Sequence, residues 1–211
     1  MSNEHYIGGD LDSANWEVRL SRVLCMDWTP TPEQVERGLS DPDVDVCVAW
    51  ISRMDSPTPE QTEKGFTDGD WAIRHAWARR VDLKTTPEQV IRGLTDTDSD
   101  VRPEWAKRMD WTPTPEQVEA MLKDGWAVRR ACAQRRDWTP THEQVEMGLS
   151  DSYFEARVAW VKRMDWVPTP EQVERGLSDP DSDVRSAWME RLKAEQEILL
   201  SDAQSMPEAS L

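Results

Sequence analysis

The sequence predicts an all-α solenoid of about six two-helix repeats, each 27–28 residues long, with a capping helix at the N-terminal end. Three observations carry that prediction. A phrase of the form Asp-Trp-Thr-Pro-Thr-Pro-Glu-Gln-Val-Glu begins at Asp27 and returns, with small changes, at Asp55, Asp82, Asp110, Asp137 and Asp165. Apolar residues recur at helical spacing inside each copy. Twelve residues are Trp, and each buried Trp removes about 150–250 Å² from water, which offsets the shortage of Leu, Ile and Phe.

The copy Asp165–Leu192 shows why each element forms. Thr169 is a good N-cap, Pro170 suits the first helical position, and Gln172 closes a capping box onto Thr169. Glu171 stands near the positive end of the helix dipole. Val173 and Leu177 give this short first helix one narrow apolar face. Gly176 matches Gly38, Gly65, Gly93 and Gly148, whereas the fourth copy places Met121 there. A bulky residue is strained at positive φ, so the Gly is read as helical and as permitting close approach of the neighbouring helix. Ser178–Asp183 forms a turn and an acidic helix start. Val184, Ala187, Trp188 and Leu192 then fall on one side of a second helix. Matching sets are Val46/Ala49/Trp50/Met54, Ile73/Ala76/Trp77/Val81, Val101/Trp105/Met109 and Ala156/Ala159/Trp160/Met164. The fourth copy has the weaker set Val128/Ala131/Cys132/Arg136. Before the first copy, Trp16–Met26 reads as a lone second helix, the cap. The last helix is expected to run through Lys193–Leu200. Domain limits follow: structureless termini at 1–11 and 201–211, and one repeat domain over 12–200.

Thr169-Pro170-Glu171-Gln172-Val173, Leu177-Ser178-Asp179-Pro180-Asp181 and Val184-Arg185 resemble the leucine-rich-repeat-variant family and, more loosely, HEAT-like repeats. The resemblance covers about Trp16 to Leu192. It implies a right-handed superhelix of stacked helices and protein–protein binding, and allows the first helix to be α or 3₁₀. The copies here are longer than usual in that family and carry Trp where it more often has a small aliphatic residue.

The formal net charge is −16. A field of that sign repels nucleic acid and anionic lipid and attracts basic partners. Cys25, Cys47 and Cys132 form no CxxC pair and read as free thiols. No signal peptide and no stretch of transmembrane length is visible, so a cytoplasmic location is expected. His5, His75 and His142 have no ligand-spaced partners. The runs Asp41–Asp45, Asp96–Asp100 and Asp179–Asp183 look like calcium loops but carry Val, not Gly, at the sixth position. No cofactor, no metal and no catalytic residue is expected.

Two ladders emerge if the copies stack. The Arg ladder of Arg19, Arg74, Arg102, Arg129, Arg157 and Arg185 follows the core Val or its equivalent, and structural ion pairs with the next copy are expected there. The acidic ladder runs along the turns between helices. Its candidate binding residues are Asp43, Asp45, Asp68, Asp70, Asp98, Asp100, Asp124, Asp181 and Asp183. Aromatic residues interrupt it at Trp71, Trp126, Tyr153 and Phe154, where other copies carry Val or Ser, in the manner of interface anchors. The expected function is a non-catalytic acidic module, monomeric or homodimeric, that engages a basic surface of another protein, in one form as a DNA mimic that inhibits a nucleic-acid-binding enzyme. Direct nucleic-acid or membrane binding is not expected. The alternatives are a solenoid that holds nucleic acid or an acidic peptide in an Arg-lined groove, and a HEAT-like lyase or chaperone.

Overall fold

The structure, a computed structural model, describes residues 11–25 and 28–205. It is an all-α repeat solenoid with no strand among these residues. The helices are α1 (Trp16–Leu24), α2 (Pro32–Gly38), α3 (Val44–Arg53), α4 (Pro59–Phe66), α5 (Trp71–Ala78), α6 (Pro87–Leu94), α7 (Val101–Lys107), α8 (Pro115–Leu122), α9 (Trp126–Gln134), α10 (His142–Leu149), α11 (Phe154–Val161), α12 (Pro170–Leu177) and α13 (Ser182–Ser205). The chain divides into two units, Met1–Trp111 and Thr112–Leu211, over the span where the sequence predicts one repeat domain. Helix α13 runs five residues past Leu200, into the segment expected to lack structure; 206–211 and nearly all of 1–11 lie outside the described residues.

Each unit is built the same way. A second helix packs on its own first helix, as in α4 with α5 or α12 with α13, and on the second helix of the next repeat, as in α3 with α5 or α11 with α13. The first helices are α-helical. Each begins with a full capping box: Thr31, Thr58, Thr86, Thr114, Thr141 and Thr169 accept the N–H of the Gln three residues on, and that Gln side chain accepts the Thr N–H. Two of the four orphan donors at each helix start are thereby satisfied.

The repeated Gly is helical and seats an indole. A Cβ added at Gly38, Gly65, Gly93, Gly148 or Gly176 would lie 1.9–2.2 Å from Trp50, Trp77, Trp105, Trp160 or Trp188, respectively. All five Trp are buried. The fourth repeat exchanges both partners at once: Met121 replaces the Gly, Cys132 replaces the Trp, and both are buried.

The C-terminal ends of the second helices differ from the expected pattern. Val81, Met109 and Met164, expected in the core, are 90%, 63% and 46% exposed. The preceding residue turns inward instead, and it is Arg: Arg108, Arg135, Arg163 and Arg191 are at most 4% exposed. The reason is local. Helices α7, α9 and α11 stop one or two residues before that Arg, as where Arg108 adopts extended backbone at the end of α7, so helical spacing no longer selects the inward side chain there; Arg191 instead lies inside α13 and is buried with the helix continuing past it.

The Arg163 guanidinium donates to the carbonyls of Ala133 (3.2 Å), Arg135 (2.8 Å) and Trp138 (2.8 Å) in the preceding repeat, and to its own Asp165. It lies 4.4 Å from the Trp138 ring centre. Arg108 repeats the arrangement on Ala78, Arg80, Leu83 and Asp110. Arg191 repeats it on Val161, Arg163 and Trp166, with Glu195 in place of the Asp. These are the orphan carbonyls of a helix end and its exit loop, capped by the neighbouring repeat. The loop Trp closes the cage: Trp138 stands edge-on to Trp160 with ring centres 6.0 Å apart, and its N–H donates to the Cys132 carbonyl.

The Gly–Trp fit makes a compensation test possible. Gly148→Met alone overpacks the site and destabilises by about 3 kcal/mol or more. Trp160→Cys alone leaves a cavity that costs about 3–5 kcal/mol. The double variant, which copies Met121 and Cys132, is expected to recover most of the sum in urea unfolding.

Candidate protein-binding surface

The turn between the two helices of a repeat places its carboxylates in three roles. The first Asp is drawn into the fold. Arg157 grips Asp179 with Nε (2.9 Å) and Nη2 (2.8 Å), while its Nη1 donates to the Asp151 carbonyl (2.7 Å) of its own turn. Arg74 holds Asp96 and the Asp68 carbonyl in the same way, Arg129 holds Asp151 and the Asp124 carbonyl, and Arg19 holds Asp41 and the Ser13 carbonyl. At Arg19, Arg74, Arg129 and Arg157 the expected structural ion pairs are therefore present, and these four arginines do not line a free groove.

The second Asp caps the second helix. Asp43 accepts the N–H groups of Asp45 and Val46, Asp70 that of Ala72 and Asp181 that of Asp183, whereas Asp98 accepts that of Asp100, which lies before the first residue of α7 and is its uncapped N-cap position. Of the predicted binding residues, Asp43, Asp70, Asp98 and Asp181 thus hold backbone and are half-buried, while Asp45, Asp100 and Asp183 are exposed. Asp68 accepts the Asp70 N–H, and Asp124 accepts that of Gly125.

Burial pushes the carboxyls of Asp41, Asp96 and Asp179 up, but the hydrogen bonds and charge of Arg19, Arg74 and Arg157, with a backbone N–H, outweigh it and hold them below the usual carboxylate range. At the position of these arginines the first repeat carries Cys47, whose Sγ takes up the bond to the Asp41 carbonyl at 3.2 Å. Burial, with Asp41, pushes that thiol up to about 11. Asp68, which a longer side chain at 47 would reach, forms no ion pair among the described residues.

The aromatic candidates fall in two places. Trp71 is exposed in the first unit, edge-on to His75 at 6.1 Å. In the second unit, Trp126 and Tyr153 stack at 5.6 Å with planes 18° apart, and Tyr153 is 47% exposed. Phe154 borders a groove of about 460 Å³ across α9, α11 and α13, floored by Val158, Ala159 and Ala187 and edged by Arg130, Lys162, Glu155 and Glu190. Arg130 and Lys162 form no ion pair among the described residues.

One exposed acidic row escaped the sequence reading. Glu33, Glu60 and Glu88 in the first unit, and Glu116, Glu143 and Glu171 in the second, all stand exposed at the start of the first helices. Their own backbone N–H and the capping Thr hold Glu33 and Glu116 low. The signal was the Glu of every Thr-Pro-Glu-Gln phrase, absorbed there by the helix-dipole account. Further along these helices Glu63 accepts from Gln89 and Arg92, and Glu146 from Gln172 and Arg175, so that row ties repeats together. Among the described residues no cluster of His, Cys, Asp and Glu is arranged to hold a metal ion, and no helix is long and apolar enough to cross a membrane.

A solved structure described as "a leucine-rich repeat variant with a novel repetitive protein structural motif" is similar to this chain, with a TM-score of 0.54 and 24% identity over 90% of this chain and 82% of that one. The fold is leucine-rich-repeat-variant-like. At that identity the likeness is one of fold. No protein-family model matches the chain, and no curated protein matches it in sequence.

Two outcomes follow from the variant-like turn. Carboxyls held low in the folded state contribute stability that is complete above the unfolded value of about 3.9 and is lost as pH falls through the folded value. The urea midpoint is therefore expected to be flat from about pH 7 to 5 and to drop below about pH 4, with a shallower drop in Asp179→Asn. Conversely, Cys47→Arg restores the missing fork to Asp68 and is expected to stabilise by about 1 kcal/mol in the same assay.

Proposed function

We propose that the protein is a non-catalytic binding module whose acidic surface holds a basic face of a partner protein. The supporting observation is where the opposite charges go. The chain has 25 Lys and Arg against 41 Asp and Glu. Arg19, Arg74, Arg129 and Arg157 are bound to turn carboxylates, and Arg53, Arg80, Arg108, Arg163 and Arg191 are turned onto backbone carbonyls. The fold consumes cations and leaves carboxylates outside: the Glu row of the first helices, and Asp45, Asp100 and Asp183 at the second. An acidic excess of this kind steers a basic partner and disfavours nucleic acid.

A finer form of the reading is DNA mimicry. Regularly spaced carboxylates stand in for a phosphate strand, and the partner is an enzyme that grips nucleic acid and is blocked. The groove beside Phe154 favours one second reading, a short acidic segment seated on Arg130 and Lys162. The likeness of fold to a leucine-rich repeat variant is neutral between the two, since fold alone carries no function.

The test is capture at low salt. Basic proteins are expected on immobilised protein and are expected to elute as the ionic strength approaches about 0.5 M, where screening shortens the Debye length to a few ångströms. The triple variant Asp45→Asn, Asp100→Asn, Asp183→Asn is expected to weaken capture with helicity unchanged. Release of the partner by duplex DNA supports mimicry. Binding that is indifferent to salt sinks the acidic-surface reading.

A further inference from the structure

We infer that the α12–α13 end of the second unit is the interface of a two-fold dimer, in which Arg185 of one copy takes Glu174 of the other. Every repeat junction within a unit shows what this face is built to receive. Val161 is fully buried under the next repeat and Leu149 nearly so, whereas their counterparts Met189 and Leu177 are 57% and 40% exposed. Leu192 borders a shallow recess with Val173, Glu174 and Leu177.

Two charged groups on the face are half-complete in the same sense. Arg185 makes the bond to its own turn, Nη1 to the Asp179 carbonyl at 2.6 Å, as Arg157 does with Asp151. Arg157 then spends Nε and Nη2 on the Asp179 carboxylate. Those two donors of Arg185 have no acceptor among the described residues. Glu174 is the counterpart of Glu146, which accepts Gln172 at 2.5 Å and Arg175 at 2.8 Å from the next repeat. Glu174 receives no donor among the described residues.

The face therefore carries one open guanidinium, one open carboxylate and an apolar centre. That is self-complementary. A two-fold axis sets each copy's Arg185 against the other's Glu174 and closes the apolar residues between them, since an isologous interface pairs i with j and j with i. A head-to-tail partner is a poorer match. The turn at α1 has Ser13, not Asp, in the place that an Asp179 equivalent fills.

The test is the mass of the full chain by light scattering and sedimentation equilibrium across concentration. A dimer of twice the chain mass is expected. Met189→Glu and Arg185→Glu are each expected to weaken it roughly tenfold or more, with circular dichroism unchanged for Met189→Glu because that side chain faces solvent in the monomer. The charge exchange Arg185→Glu with Glu174→Arg is expected to restore dimerisation. If Met189→Glu lowers helicity, Leu177→Gln carries the same measurement. A monomer at all concentrations, a dimer indifferent to both apolar variants, growth without limit, or failure of the exchange to restore pairing overturns the inference.

Discussion

Second helices such as α5, α9 and α11 end on carbonyls that their own repeat leaves unsatisfied, and the guanidinium that satisfies them comes from the repeat that follows. Arg163 illustrates the terms. It is fully buried, and an isolated buried charge costs several kcal/mol. Three carbonyls, the Asp165 carboxylate and the Trp138 face repay that cost together. None of the groups is content alone. The helix end needs the Arg, the Arg needs the carbonyls and the Asp, and the loop Trp needs both to define its position. Repeats bound in this way are coupled to nearest neighbours, which is how a chain with few Leu and Phe side chains reaches a single arrangement.

The Gly–Trp contact works across the other axis, between the two helices of one repeat. The indole lies on bare backbone, so the helices approach more closely than any side chain would permit. In the fourth repeat Met121 stands at the Gly position and Cys132 at the Trp position, both buried, so the large and small residues are exchanged between the two helices. Between them, the two devices decide the surface. The arginines of the turn and of the cage go inward, and the turn Asp residues are split between pairing and capping.

Much of this was legible. The capping boxes follow from Thr-Pro-Glu-Gln because the relevant bonds span three residues. The helical Gly was readable because one copy placed Met there, which excludes positive φ. The Arg ladder was readable because an Arg one place from the core faces the next repeat. The inward Arg was not. Whether Arg163 or Met164 enters the core depends on where a helix stops, and one residue reverses the answer. Hydrophobicity favoured Met, and the carbonyl cage that rewards Arg lies about thirty positions away. The candidate Asp residues were similarly misjudged as a uniform ridge, since a free carboxylate and an N-cap look alike in sequence.

Period, helix starts, the helical Gly and the sign of the net charge were determined by the sequence itself, because each depends on interactions within a repeat or on composition. Which Asp is spent and which is free, which end of each second helix admits an Arg, and which aromatics meet, as Trp126 and Tyr153 do, were decided only by stacking. Those choices rest on donors and acceptors supplied by a different repeat, and no local pattern encodes what a neighbour will present.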